Sequence, residues 1–406
     1  MGFSQHFYEE DEMKSEQRKK RMIKGLVLFM ALIVGSWAFS GVVSAEPPYK
    51  EYTLGASLPL SGPAAQFGKI QAKAALMAVE DINSQGGVNG VPLRLIIEDT
   101  KSNPKDGVTA FIKLVDMYKV PYVLSTMSSV CMAQQPIAAD RKVLLVNVGA
   151  WAPGLANKPY LYNATVLGPY IMKAGSWYLF KELGLRKAAY IGTNDPAGAG
   201  VVKEISAMWE KWGGKVVAKE YFQLGATNFV PQLTKIKATK PDVIILPIYG
   251  TAVGFLIKQI REMGLKQPLL SLYFIPANYK IAGEASEGLL VNTEYLNLDS
   301  DNPKTHEWCL RTTKEFGRAP IYWDANSYDL VVVLENLIKQ CEKAGGKFYS
   351  GENLKNALEK TPSFPSVFGE DLLFGKNHHA IKSVGLFKIV SGKKTFMRLV
   401  EPPEEK

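Results

Sequence analysis

An α/β protein of two doubly wound lobes, joined by crossing strands around a cleft, is the fold class predicted from this 406-residue chain. From Tyr52 onward, short apolar runs alternate with helical stretches of roughly 10–20 residues, and that alternation implies right-handed βαβ crossovers and a parallel sheet. The predicted strands are too many for one sheet of ordinary width, so they divide between two lobes. Helices and then strands follow the second run, which sends the chain between the lobes several times and leaves a cleft.

Tyr52-Thr53-Leu54-Gly55-Ala56-Ser57-Leu58 is apolar enough for a buried strand. Ile70, Ala74, Met77 and Ala78 recur at helical spacing and predict a helix over 69–84, stopped by Gly86-Gly87 and Asn89-Gly90. Strand 92–98, helix 104–118, strand 121–125, helix 130–140 and strand 143–148 complete the first run. After a loop at 149–168 come helix 169–183, strand 187–192, helix 198–212, strand 215–222, helix 229–238, strand 242–247, helix 251–263 and strand 268–273. A short strand at 288–296, helices 303–316, 324–343 and 352–360, and strands near 384–390 and 395–399 close the chain. The expected lobes are 50–168 plus 297–378, and 169–296 plus 379–402.

Ahead of this body, Gly25 to Val43 is uncharged and apolar, preceded by Arg18-Lys19-Lys20-Arg21 and Lys24 and followed by Val43-Ser44-Ala45. That is the grammar of a secretory signal cleaved after Ala45. The apolar run has 19 residues, close to the roughly 20 that span a bilayer, so an uncleaved inner-membrane anchor over 25–43 is the alternative. A start at Met13 or Met22 would give an ordinary short leader. Either way the body lies outside the cytoplasmic membrane, in the periplasm.

The chain holds 48 Lys+Arg against 39 Asp+Glu, a net charge of +9. Residues 1–45 account for +1 of it and the rest for +8. No block of basic residues with interleaved aromatics follows Lys24, so nucleic acid is not an expected partner. Three cysteines, Cys131, Cys309 and Cys341, are too few for a disulfide scaffold and are expected as free, mostly buried thiols.

In an open parallel sheet, ligands sit beyond the carboxyl ends of the strands. Three loops of the first lobe fit: Pro59 to Gly68, Ser125 to Ser129, and Asn147 to Pro153. Ser128 and Ser129 precede a predicted helix, where free backbone N–H groups and hydroxyls suit a carboxylate or phosphate; the same serines also read as plain caps. Phe67 and Trp151 are candidate aromatic walls. No Gly-x-Ser-x-Gly elbow, phosphate-binding loop or Cys-x-x-Cys occurs, and His378-His379 lack the spacing of metal ligands. No catalytic residue, metal site or cofactor is expected, and the protein is not read as an enzyme.

Leu58-Pro59-Leu60-Ser61-Gly62-Pro63-Ala64-Ala65-Gln66-Phe67-Gly68, Asp81-Ile82-Asn83, Gly86-Gly87-Val88-Asn89-Gly90 and Glu98-Asp99 together resemble the leucine/isoleucine/valine-binding proteins of ABC importers. Gly283 to Val291 and Tyr328-Asp329 continue the likeness, which covers almost all of 50–400. The resemblance implies a type I periplasmic binding fold, two lobes joined by three crossing strands and closing on a solute. It implies that Ser128 or Ser129 binds a ligand carboxylate, that Phe67 and Tyr249 are cleft aromatics, and that Gly149, Ala150 and Trp151 form the loop facing the amino group. Trp151 stands where that family has a Thr, and Ala197 where it has an aromatic. The family's acidic partner for the amino group would fall near Leu272-Tyr273-Phe274, where this chain has no carboxylate, so Tyr273 and Phe274 could surround an apolar or aromatic acid. Asp324 is a candidate replacement charge.

The function expected from these readings is an extracytoplasmic receptor of an ABC importer of the branched-chain amino acid type. It would be a monomer, coupled to a membrane permease. Its ligand is expected to be a small carboxylate-bearing molecule, either an amino acid or an amine-free, aromatic carboxylate. The competing reading is a membrane-anchored sensing module not coupled to a permease.

Overall fold

The computed structural model describes residues 49–345 and 350–400; the leader or anchor expected over 1–45 lies outside them. One sheet holds β1 (Tyr52–Leu58), β2 (Leu93–Asp99), β3 (Tyr122–Ser125), β4 (Leu144–Asn147) and β5 (Leu161–Asn163), all parallel, in the order β2-β1-β3-β4-β5. The first, third and fourth of these strands are buried almost throughout, as strands covered on both faces must be. A second sheet holds β6 (Lys187–Thr193), β7 (Lys215–Phe222), β8 (Val243–Leu246), β9 (Leu269–Ser271) and β10 (Leu290–Glu294). A small antiparallel sheet follows in the chain: β11 (Ser363–Phe364), β12 (Leu372–Phe374) and β13 (Ala380–Ile381). Then β14 (Val384–Val390) and β15 (Lys393–Leu399) return to the second sheet, whose order is β15-β14-β10-β9-β8-β6-β7, with β14 antiparallel to both neighbours.

The helices are α1 (Ala65–Ser84), α2 (Pro104–Ile112), α3 (Ser128–Arg141), α4 (Gly168–Lys181), α5 (Pro196–Lys211), α6 (Val230–Ala238), α7 (Ala252–Glu262), α8 (Pro276–Ala282), α9 (Pro303–Phe316), α10 (Tyr322–Lys343) and α11 (Gly351–Lys360). Helix α1 buries Phe67, Gln71, Ala74, Ala75, Ala78 and Ile82 along one face, the helical spacing read from the sequence. It ends where Gly86 and Gly87 adopt positive φ. The last three helices pack with α1 and the first sheet, through Leu330, Leu334 and Leu337 among others. The two lobes are therefore not contiguous in sequence.

Among the described residues, three segments cross between the sheets: 164–167, 295–302 and 382–383. The third lies a few residues past the boundary expected at 378, because Ala380-Ile381 pair with β12 and stay with the first lobe. A buried ionic cluster ties the three crossings together. Glu294, at the end of β10, accepts from Thr165 Oγ1 at 2.5 Å, Val166 N–H at 2.9 Å, Asn326 Nδ2 at 3.3 Å and Lys382 Nζ at 3.4 Å. The three cysteines are free and buried.

Candidate functional site

The carboxyl ends of the first sheet are levelled by a polar row. Ser57, Ser125, Asn147 and Asn163 stand in register across four strands and are fully buried. Gln134 of α3 closes the row, its Nε2 donating to Ser57 Oγ at 2.6 Å and its Oε1 accepting from Ser125 Oγ at 2.7 Å. Asn147 accepts from the N–H groups of Gly149 (3.1 Å) and Ala150 (2.7 Å), and donates to the Ala150 carbonyl (2.8 Å) and to Asn163 Oδ1 (2.9 Å). A loop that would otherwise be free is thus pinned to the sheet edge. The loop after β1 is held likewise: Asp99 accepts from the N–H groups of Leu60 and Ser61 and from Ser61 Oγ, which lowers its pKa against the opposing effect of burial. At Gly68 a Cβ would meet the Pro59 carbonyl at 2.1 Å, so only glycine lets α1 start tight against this loop and carry Phe67 inward.

These loops converge with two from the second lobe on a cavity of about 30 Å³, lined by Phe67, Thr126, Met127, Ser128, Gly149, Ala150, Trp151, Ala197, Tyr249 and Trp323. The cavity lies within an aromatic cluster. Trp323 packs on Phe67 (4.8 Å between centroids), Trp151 (5.7 Å) and Tyr273 (5.3 Å), and Tyr249 meets both Phe67 (6.0 Å) and Trp151 (5.8 Å). Phe67, Trp151 and Trp323 belong to the first lobe and Tyr249 and Tyr273 to the second, so these contacts close the cleft.

Of the residues expected at the site, Phe67, Ser128, Gly149, Ala150, Trp151 and Tyr249 line the cavity, and Tyr273 stacks on Trp323 and meets Trp151 at a tilt. Ser129 and Phe274 are not among the lining residues; Phe274 is packed in the second lobe's core. Both serines lie inside the first turn of α3 instead of ahead of it. The residue before them, Met127, has φ +66° and offers no side-chain cap. Only at Cys131 does the first intrahelical N–H bond form, to the Met127 carbonyl, so this end keeps the unshared donors and positive dipole end of a helix start. Ser128 Oγ accepts from the N–H groups of Trp151 (3.2 Å) and Ala152 (3.0 Å), which leaves its own proton to give.

Sequence reasoning missed Trp323, whose position in the first turn of α10 aims it at the cleft. Gly149 faces it: a Cβ there would come within 2.5 Å of Trp323 Nε1. The indole N–H groups of Trp151 and Trp323 and the Tyr273 hydroxyl are buried without partners, and so is Gln71 Oε1, whose amide also borders Gly149. Burial pushes the Tyr273 pKa upward, so the hydroxyl stays a donor. The flanking carboxylates are already engaged. Asp195 caps α5, accepting from Gly198 N–H (2.8 Å), Thr193 Oγ1 (3.1 Å) and the Tyr249 hydroxyl (2.6 Å). Burial first and Asp195 second hold the Tyr249 pKa well above its usual value. Asp324, the candidate replacement charge, is fully buried in a two-pronged pair with Arg318 at 2.8 and 2.9 Å and accepts Ile321 N–H. Among the described residues, no group of three or more His, Cys, Asp or Glu could hold a metal ion.

Residues 51–394 match the family model described as periplasmic binding protein. The Leu/Ile/Val-binding protein homolog 1 of Brucella abortus is 26% identical over 357 residues, 87% of this chain and 91% of that protein. The branched-chain amino acid transporter substrate-binding protein LivJ of Streptococcus pneumoniae, solved with isoleucine, aligns with a TM-score of 0.77 at 25% identity, over 87% of this chain and all of that one. A solute-binding protein of an ABC transporter from R. palustris, solved with benzoate, aligns with a TM-score of 0.77 at 22% identity, over 87% of this chain and 97% of that one.

Proposed function

Since the chain belongs to the periplasmic binding protein family, in its type I Leu/Ile/Val-binding branch, we propose that it captures a small carboxylate-bearing solute between its lobes and presents the closed form to an ABC permease. Family and fold correspond to non-catalytic binding proteins that take a small molecule in the cleft and couple to a membrane permease outside the cytoplasm. The observation that carries the carboxylate is the uncapped start of α3, with the Ser128 hydroxyl at the cavity. Free N–H groups at a helix start favour an anion through both hydrogen bonds and the helix dipole. Phe67, Trp151, Tyr249, Tyr273 and Trp323 would enclose the body of the solute.

Closure follows from differential contact. A guest that touches Ser128 and Trp323 on one lobe and Tyr249 and Tyr273 on the other binds the closed form more tightly and shifts the population toward it. The proposed leader is a signal cleaved after Ala45, or a retained anchor over 25–43. An anchored chain would favour the sensing role, and mass spectrometry of the exported protein distinguishes them by a start at Glu46 or an intact leader. Native mass spectrometry of the protein as purified tests the receptor reading: a bound small carboxylic acid supports it, and a bound cation, sugar or neutral lipid would oppose it.

A further inference from the structure

Resting on the reading of the cleft as a carboxylate receptor, we infer that the ligand is an aryl carboxylate without an ammonium group. Its ring lies against the facing Trp323 and Tyr273. Charge is the first reason. None of the ten cavity-lining residues is acidic. The carboxylates around the cleft are committed: Asp195 to three donors, Asp324 to Arg318, and Glu294, linked to the cleft by Asn326 and the Val148 carbonyl, to Lys382. Gln71 offers an unpaired amide oxygen but no charge. A ligand ammonium would be buried without a counter-ion, an arrangement that proteins avoid. The Ala150 carbonyl on the loop that would face it already accepts from Asn147.

Donors are the second reason. Trp151 Nε1, Trp323 Nε1 and the Tyr273 hydroxyl have no partner, and these residues are 3%, 3% and 2% exposed. Trp151 and Trp323 line the cavity and Tyr273 packs against both, so these unpaired donors, with the start of α3, favour an acceptor-only guest over an ammonium.

Shape is the third. Trp151, Trp323 and Tyr273 form a triangle with centroid separations of 5.7, 5.3 and 6.4 Å, and Trp323 is within 29° of parallel to each of the other two. A flat ring in van der Waals contact with both Trp323 and Tyr273 needs them about 7 Å apart. Their centroids are 5.3 Å apart, too close to admit a ring between them, so the two lobes must open to take it, a displacement that a hinge readily supplies. A branched aliphatic chain is thicker than a ring, and would force the rings further apart while leaving their faces unmatched.

Titration calorimetry on the exported protein, freed of co-purified ligand, tests this with 3-phenylpropanoate and phenylalanine, which differ only in the α-amino group, and with 4-methylpentanoate and leucine, related in the same way. The expected result is that 3-phenylpropanoate binds at least about 10-fold more tightly than phenylalanine and than 4-methylpentanoate. Phenylalanine or leucine binding as tightly as its amine-free partner overturns the inference and leaves the carboxylate receptor standing; so does 4-methylpentanoate matching 3-phenylpropanoate. The neutral 3-phenylpropanamide binding as well as the acid would instead overturn the receptor reading, and the inference with it. Trp323→Leu should lose at least about 10-fold in affinity for 3-phenylpropanoate while melting cooperatively, and Trp323→Phe, which keeps a ring face but not the indole N–H, should lose less than Trp323→Leu; unchanged binding by Trp323→Leu is a refutation.

Discussion

The buried cluster at the three crossings makes a sharp energetic prediction. Glu294 and the Lys382 side chain are both almost wholly inaccessible, at 0% and 6% exposure, and Glu294 takes four hydrogen bonds from segments 128, 129, 32 and 88 residues away in sequence. Burial pulls the Lys382 pKa down, against Glu294 and Asp329, which push it back up. Replacing Lys382 with Met removes the compensating charge and leaves a carboxylate buried, a change that typically costs about 3–5 kcal/mol. Adding Glu294→Gln removes the orphaned charge and should recover about half or more of the loss. A body of about 350 residues unfolds with an entropy near 0.7 kcal/mol/K, so a loss of about 4 kcal/mol lowers Tm by roughly 5–6 °C. Circular dichroism melts of wild type, both single variants and the double variant measure this directly. A Lys382→Met melt within about 1 °C of wild type, or a double variant falling by the sum of the singles, refutes the coupling.

Ser128→Ala removes the acceptor of two backbone N–H groups, from Trp151 and Ala152. It also removes the hydroxyl proposed to donate to the ligand carboxylate, and should weaken binding of the co-purified ligand by about 10- to 100-fold in calorimetry, since a hydrogen bond to a charged group is worth about 1.5–3 kcal/mol. Gly149→Ala places a methyl 2.5 Å from Trp323 Nε1. At about 1–3 kcal/mol of overpacking, the protein should fold but show altered tryptophan fluorescence and impaired binding; wild-type values for both would count against the site. Two buried groups give opposite pH dependences. Burial raises Asp329 from 3.8 to about 6, so its contribution is fully present below pH 3.8 and is lost as pH rises through 6. Burial lowers His379 from 6.5 to about 4, so its contribution is present above pH 6.5 and is lost as pH falls through 4. The two slopes offset each other, and Asp329→Asn should make urea-denaturation stability rise more steeply between pH 4 and 6 than in wild type; an identical slope would contradict the assignment.

Most of the scaffold was legible because its periodicity is local. The helix at 303–316 and the strand at 384–390 match the observed elements end to end. β5 was hidden inside the loop expected at 149–168, since Leu161-Tyr162-Asn163 is too short to show alternation and is a strand only because it pairs with Leu145, Val146 and Asn147. Serines read as caps put the expected start of α3 at 130; the strained Met127 turn lets the helix begin at Ser128 instead. Trp323 lies one residue ahead of the helix start that the sequence predicts at Asp324, and so outside the expected first turn of α10. That carboxylate sits in the first turn and accepts Ile321 N–H, so an acidic residue three places after an apolar one was the available signal. No local pattern could have joined Thr165, Glu294, Asn326 and Lys382, which meet only once the lobes are assembled. The unfilled donors of Trp151, Trp323 and Tyr273 were likewise invisible, because whether a polar group lacks a partner is decided by the packing around it.

A crystal structure of the exported protein with its co-purified ligand tests the central claim most directly. The account predicts a carboxylate oxygen within about 3.2 Å of Ser128 Oγ or of the first N–H groups of α3, with Trp323 and Tyr273 contacting the rest of the molecule from opposite lobes. A ligand bound away from the start of α3, or held by one lobe alone, would contradict it.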